Sequence, residues 1–311
     1  MFTTICILAA ITFADSKTLA VQVNLDKAGF SCNTIDGQWG RKSQSALEGY
    51  CAKFGLAVPA SPEEAYDTIP SLAGDPTGLF RYETVTQADM DALVAMPSDP
   101  AEKAALDLMG YATIQEMFAE RGHLSKRALE RLNPGVNWSA VMPGARIRIP
   151  NFPSIDEDLS AWPRPRSGAA SKRPLASKVK ISLSRFEITV LDADGGVLAL
   201  FPCSIAKNKA KLPPHGELRI VNQIARPNYT YTPDYTPPGR KVSRYIWPAG
   251  PRCPVGIAWL GLDLPGYGIH GTPRPESIGN AESHGCFRLA NWNAARLYAL
   301  CPIGTSVVVE P

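Results

Sequence analysis

The chain has 311 residues, is 45% hydrophobic and carries a formal charge of +3. That length accommodates two or three domains, and so small and dispersed a charge leaves no basic footprint for nucleic acid. Twenty-eight prolines and twenty-five glycines argue against an all-helical bundle and for strands, turns and linkers.

Residues 1–14, MFTTICILAAITFA, hold an apolar run from Ile5 to Ala14, the length of a secretory h-region and too short to span a bilayer. They read as a signal peptide, with cleavage after Ala14 or Ala20. The absence of Lys or Arg before Ile5 keeps a buried N-terminal helix as the alternative. No later segment is apolar enough to cross a membrane. Export would place the mature chain where disulfides persist. Beyond Cys6 the cysteines are Cys32, Cys51, Cys203, Cys253, Cys286 and Cys301. Cys32 and Cys51 lie in one small module and are expected to pair, while the pairing of Cys203, Cys253 and Cys301 stays open.

Within residues 15–58, LAVQVNLDKAGF predicts one helix and SQSALEGYCAKFGL a second, with Leu47, Tyr50, Cys51 and Phe54 at i, i+3, i+4 and i+7. Ser43 is the expected cap and Gly55 the stop. With the turn around Asp36-Gly37-Gln38-Trp39-Gly40 between them, this segment resembles the small helical peptidoglycan-binding module. Residues 59–105, rich in Pro and Asp, are read as a connector with one helix at TQADMDALVAM. In 106–151, Thr113 and Glu116 predict a capping box, Ile114, Met117 and Phe118 an apolar face, Ser125 a second cap, and Leu129 and Leu132 a second face. ARIRIP then alternates as a strand. Two helices and a strand ending in PGARIRIP resemble a LysM-type glycan-binding unit. His123, in the turn between those helices, reads as a cap or surface residue. Residues 152–177, poor in aliphatics and rich in Pro, Ser and Arg, read as a linker.

From 178 to 311 the texture changes to short alternating runs, VKISLS, RFEITVLD, GVLALFPCSI, GELRIVNQIA and TSVVVEP. These predict a strand-rich domain, a sandwich or partly closed barrel. One helix, NWNAARLYAL, interrupts it, with Asn291 as its expected cap. Just before that helix lies GYGIHGTPRPESIGNAESHGCFRL, with two of the four histidines close to Cys286. A nearby imidazole can take the thiol proton, and the thiolate can attack a carbonyl. Gly285 permits a close backbone approach, so that N–H groups near Cys286 face a developing oxyanion. A zinc site from His270, His284 and Cys286 lacks a fourth ligand, and neither CxxC nor HExxH accompanies it.

YGIHGT, twelve intervening residues from His270 to Ser283, and SHGCFRL resemble the signature of the L,D-transpeptidase catalytic domain, over roughly 179–311. One departure is Pro213-Pro214-His215-Gly216, where the family usually has Ser or Thr before the Gly; His215 is read as a strand-entry residue. The resemblance implies that Cys286 is the nucleophile and His270 the general base, held by a backbone carbonyl in place of an Asp, with Gly271 as its turn. His284 and Gly285 would shape the pocket and oxyanion site, with Ser283 in support, and Arg288 would hold a substrate carboxylate. The implied reaction acylates Cys286 with a peptidoglycan tetrapeptide, releases D-Ala and transfers the acyl group to a diaminopimelate amine, giving a 3-3 cross-link. Hydrolysis, exchange with a free D-amino acid, or a non-catalytic wall-binding role are the alternatives. No cofactor is implied; the partner is peptidoglycan, and the setting an exported, periplasmic one. In the family, the region of Tyr229, Tyr231, Tyr235, Trp247 and Trp259 helps form the cleft or a covering loop; by their own pattern these aromatics read as packing over the sheet.

Overall fold

The computed structural model describes residues 16–74, 76–160, 175–213, 216–233, 243–283 and 285–311. The expected signal peptide at 1–14, most of the expected linker, and His215, Tyr235 and His284 lie outside the described residues. Helix α1 (Lys17–Lys27) starts where the Ser16 hydroxyl accepts from the Leu19 N–H. Helix α2 (Arg41–Phe54) ends where Gly55 turns left-handed at φ 65°, a conformation that costs glycine least. It begins at Gly40, not Ser43. Ser43 is buried inside the helix and accepts from Gln22 Nε2 at 3.0 Å, so its hydroxyl ties α2 to α1 and caps nothing. Leu47, Tyr50 and Cys51 face the core with Leu25 and Phe30, as the spacing requires, whereas Phe54 is largely exposed. The expected Cys32–Cys51 disulfide is absent: both are free, buried thiols. Cys32 is instead hydrogen-bonded by Ser43, and burial pushes its thiol above the ordinary range.

The expected connector contains structure of its own. Strand β1 (Phe80–Thr84) pairs antiparallel with β2 (Arg146–Pro150), from Phe80↔Pro150 to Thr84↔Arg146. Between them lie a short helix Gln87–Asp91 closed by a Thr86–Asp89 capping box, a second short helix Pro100–Ala104, and the longer α3 (Ile114–Arg121) and α4 (Lys126–Leu132). Thr113 caps α3 and Ser125 caps α4, each hydroxyl accepting an N–H at 3.1 Å. Ile114, Met117, Phe118, Leu129 and Leu132 pack against Ile147 and Ile149. The unit is therefore strand–helix–helix–strand, and its first strand falls about 25 residues before the boundary read at 106.

His123 is no surface residue. With φ 52° and 5% exposure, it lies stacked between Phe152 and Trp292, ring centroids 4.1 and 4.8 Å away and both planes within 10°. Its Nδ1 sits 2.5 Å from Asp26 Oδ2. Burial alone would raise the Asp26 carboxyl; His123 and Arg296 outweigh it and hold the group below its usual value. Asp26 belongs to α1, His123 to the α3–α4 turn, and Trp292 and Arg296 to the C-terminal helix, so one buried contact joins three parts of the chain.

The C-terminal half supplies β3 (Lys178–Ser182), β4 (Glu187–Leu191), β5 (Val197–Pro202), β6 (Ile205–Ala206), β7 (Gly216–Ala225), β8 (Tyr229–Tyr231), β9 (Tyr245–Trp247), β10 (Ala258–Leu262), β11 (Gly268–His270), β12 (Ala281–Ser283), β13 (Phe287–Arg288), α5 (Asn291–Leu300) and β14 (Ser306–Glu310). Eight of these strands form one mixed sheet in the order β13-β11-β10-β7-β14-β3-β4-β5. Its two edges meet at Ser204, just beyond β5, which donates to and accepts from Arg288 of β13 at 2.9 and 3.0 Å. The result is a partly closed barrel, and α5 buries Ala294, Ala295, Leu297 and Tyr298 against its strands. Asn291 is the first residue inside α5, behind a cap at Ala290 that makes no side-chain hydrogen bond. Freed from capping, its amide is available for other contacts.

Tyr229, Tyr231 and Trp247 pack on one another in the β8–β9 hairpin, with Tyr231 stacked on Trp247 at 4.5 Å. Lys103 lies over the Trp247 ring, and the indole donates to Pro100 O. These three aromatics anchor the hairpin to the helix at Pro100–Ala104. Replacing Asp26 by Ala removes the partner of a buried imidazole, and we expect a loss of about 3 kcal/mol, read from urea denaturation of the purified protein.

Candidate active site

Strand β11 is three residues long and lies between two partners. Against β10 it runs antiparallel, pairing Trp259↔His270, Leu260↔Ile269 and Gly261↔Gly268. Against β13 it runs parallel, pairing Ile269↔Phe287 and His270↔Arg288. Ile269 and Phe287 are fully buried in the core. Because side chains alternate along a strand, His270, Arg288 and the preceding Cys286 face the opposite side together. The row extends across four strands, since Trp259 pairs with Ile224 of β7. Ile224, Trp259, His270 and Arg288 thus stand in line.

The neighbouring row is nearly bare of side chains. Gly268 lies opposite Gly261, and a Cβ on Gly268 would meet the Trp259 indole at 2.6 Å. Trp259 can therefore fold down over the strand and stack on the His270 ring at 5.5 Å, 17° from parallel. Cys286 is half-buried beside this row: its Sγ donates to Gly266 O at 3.5 Å and receives a backbone hydrogen bond from Gly268. Gly285 has φ 152°, a conformation L side chains rarely adopt.

His270 is 4% exposed, and its Nδ1 lies 2.7 Å from Gly271 O. A carbonyl only accepts, so Nδ1 carries the proton and Nε2 is left as the basic nitrogen. Burial lowers the imidazole pKa to about 4; the nearby Arg288 guanidinium adds to this, while the Gly271 hydrogen bond opposes it. Burial likewise raises the Cys286 thiol, against the pull of the Gly268 N–H and the Arg288 charge. At neutral pH the resting pair is thiol and imidazole. Any proton transfer from the sulfur to Nε2 would then accompany an attack by the sulfur rather than precede it.

The sequence-predicted residues are thus partly assembled. Cys286, His270, Gly271, Gly285 and Arg288 meet at the β11–β13 pair. Ser283 ends β12, whose backbone pairs with Ala206 of β6, and His284 lies outside the described residues. Two contributors escape a motif reading. Trp259 reads as one aromatic among several, and its stacking depends on a glycine nine positions away. Ser204 carries no sequence signal, yet it is fully buried, brackets the Arg288 backbone, and donates its hydroxyl to Ser277 O at 2.9 Å. Among the described residues, no group of three His, Cys, Asp or Glu is placed to hold a metal ion.

Residues 176–309 match the model of the YkuD family, the L,D-transpeptidase catalytic domain, which supports that domain for the C-terminal half of the chain. A Bacillus licheniformis protein named "Putative L,D-transpeptidase YkuD" is 29% identical over 196 residues, 63% of this chain and 93% of its own length. A Fuscovulum blasticum protein, "Putative L,D-transpeptidase in ATP synthase subunits region ORF 5", is 37% identical over 123 residues, 38% of this chain and 61% of its own length. A solved L,D-transpeptidase from Mycobacterium smegmatis aligns over 44% of this chain and 59% of its own, at 20% identity and a TM-score of 0.35. This chain therefore spans less than two thirds of the last two. No helix among the described residues is long and apolar enough to cross a membrane.

If His270, titrating near 4, serves Cys286 as a base, it works when deprotonated, so acylation by an activated ester should be independent of pH from about 5 to 8 and should fall below about pH 4. The burst of p-nitrophenol from p-nitrophenyl acetate, followed across that range, checks this.

Proposed function

We propose that the protein is a cysteine-dependent L,D-transpeptidase acting on peptidoglycan stem peptides. The observation that carries the reading is a pair of short strands on which Arg288 lies opposite an imidazole whose Nδ1 is committed to Gly271 O, with Cys286 immediately before the second strand and bonded to Gly266 and Gly268 at the start of the first. Cys286 Sγ attacks the carbonyl that joins the L-centre of diaminopimelate to D-Ala. His270 Nε2 takes the thiol proton as the bond forms and returns it to the departing amine of D-Ala, leaving a thioester. Backbone N–H groups around Gly285 and Cys286 face the oxyanion in this mechanism. An amine of a second stem then attacks the thioester, His270 accepts its proton, and Sγ leaves as the thiol, so that a diaminopimelate–diaminopimelate bond replaces the diaminopimelate–D-Ala bond.

Arg288 holds the substrate carboxylate, for which a planar guanidinium offers two parallel donors. In these proposed roles His284 and Gly285 shape the pocket and the oxyanion site with Ser283 in support, and Gly271 supplies the turn that presents its carbonyl to His270. The same site hydrolyses the thioester if water replaces the amine, or exchanges D-Ala if a free D-amino acid does. The setting is exported and periplasmic, where the polymer is found, with residues 15–58 and the strand–helix–helix–strand unit as its wall-binding modules.

Incubation with disaccharide-tetrapeptide and mass spectrometry of the products tests the reaction. A cross-linked dimer lighter by D-Ala supports transfer, a tripeptide supports hydrolysis, and unchanged substrate rules out both. Cys286→Ala should abolish whichever product forms. Arg288→Lys keeps the charge but loses the fork, and we expect kcat/KM to fall about tenfold, roughly one hydrogen bond to a charged group, measured on the same substrate.

A further inference from the structure

Glu120, on α3 of the strand–helix–helix–strand unit, is a buried carboxylate that the proposed chemistry does not use. It is 8% exposed, and both of its oxygens accept from Asn291 Nδ2, at 3.2 and 3.1 Å. Tyr111 donates its hydroxyl to the same carboxylate at 2.8 Å. Asn291 Nδ2 also donates to Pro251 O at 3.0 Å, so both of its protons are committed and the amide is fixed in one orientation.

The other end of that amide presses on two glycines. A Cβ on Gly271 would lie 2.4 Å from Asn291 Oδ1, and one on Gly256 2.2 Å from it. Asn291 therefore rests directly on the backbone of the residue whose carbonyl orients His270. The peptide is held from other sides as well: Gly271 N–H donates to Ala258 O at 3.1 Å and Leu289 N–H to His270 O at 2.8 Å. Of these supports, only the Asn291 amide has its position set from outside the C-terminal domain.

We propose that Glu120 is a positioning residue for His270, acting through Asn291 and the Gly256–Gly271 backbone contact. The upstream unit then does more than attach the protein to its polymer; it completes the geometry of the base. Glu120 touches no reacting atom. Its effect is to keep the Gly271 carbonyl, and with it Nε2, aimed at Cys286. Burial raises the Glu120 carboxyl to about 7, with Glu116 adding to this and the Tyr111 and Asn291 hydrogen bonds opposing it. The contact does not depend on that titration, because a protonated carboxyl still accepts through its carbonyl oxygen.

The inference rests on the reading of Cys286 and His270 as nucleophile and base, and the test separates the two. In the full chain, the p-nitrophenyl acetate burst is followed from pH 5 to 8 for the wild type and for His270→Ala, Glu120→Leu and Glu120→Gln, with thermal melting of each. Without its base, the reaction runs only through the thiolate, whose population rises about tenfold per pH unit; His270→Ala should show that slope and the wild type a plateau. Glu120→Leu fills the same space without an acceptor. Its profile should tilt toward that of His270→Ala, with a burst rate about tenfold lower at pH 7. Glu120→Gln, which can still accept from Asn291, should restore the plateau. If His270→Ala keeps the plateau, the base assignment and this inference fall together. If His270→Ala slopes while folded Glu120→Leu keeps the plateau, or Gln behaves as Leu does, the positioning role alone is overturned.

Discussion

The parallel pairing of β11 with β13 spans only Ile269↔Phe287 and His270↔Arg288, and the geometry of the site depends on it. Those four residues bring together two segments separated in sequence by the loop from Gly271 to Cys286. Parity does the rest. With Ile269 and Phe287 drawn into the core by burial, their neighbours must face the other way, and a slip of one residue would send Cys286 and His270 inward. So short a pairing does not hold its register alone. Ser204 bonds the free side of β13 at both its N–H and C=O, and β10 bonds the far side of β11. The partial closure of the barrel is thus also what fixes the register of β11 on β13.

Desolvation then sets the chemistry of that pair. Trp259 covers His270 from one side, and the imidazole Nδ1 hydrogen-bonds to a carbonyl that carries no charge. A carboxylate at Nδ1 would favour the imidazolium; a carbonyl fixes the tautomer while leaving burial and Arg288 to hold the ring neutral. The same surroundings discourage the thiolate, so neither partner carries charge at rest. The Arg288 guanidinium contributes to both shifts, lowering the imidazole and pulling the thiol down against its burial.

Much of this was legible in the sequence for a physical reason: the motif residues are adjacent on short strands, so their spacing in sequence maps onto their spacing in space. The caps at Thr113 and Ser125, the stop at Gly55 and the alternating strands are likewise local, and local rules reached them. What failed was non-local. Strand β1 could not be recognised in FRYET because its partner, Arg146–Pro150, is more than 60 residues away. Ser43 and Asn291 have the right residue types and near-right positions for caps, but each side chain instead bonds a different segment, Gln22 in one case and Glu120 in the other. His123 looked like a turn residue because its stacking partners, Phe152 and Trp292, are 29 and 169 positions away. Cys32 and Cys51 sit near each other in sequence and in one buried cluster, yet both are free thiols, and Cys32 hydrogen-bonds with Ser43 instead.

Several non-local contacts run from the upstream half into the C-terminal domain, which changes how that half of the chain should be understood. Asn33 donates to Pro275 O at 2.7 Å, and Lys42 bonds Ile278 O; both carbonyls lie in the loop between His270 and Cys286. Trp292, one residue beyond Asn291, is stacked on His123, which in turn meets Asp26. A cavity of about 270 Å³ is walled by Glu120, Thr34, Pro273 and Pro275, so it takes lining from both upstream units and from that same loop. A tethered binding module would meet the catalytic domain through few and exchangeable contacts. Here the contacts are directional, several are buried, and two of them reach the loop between His270 and Cys286. A chain cut at residue 176 would expose Trp292, Asn291 and the carbonyls of Pro275 and Ile278 together, leaving the loop supported on one face only. The upstream half is therefore better understood as part of the wall of the site than as a separate anchor.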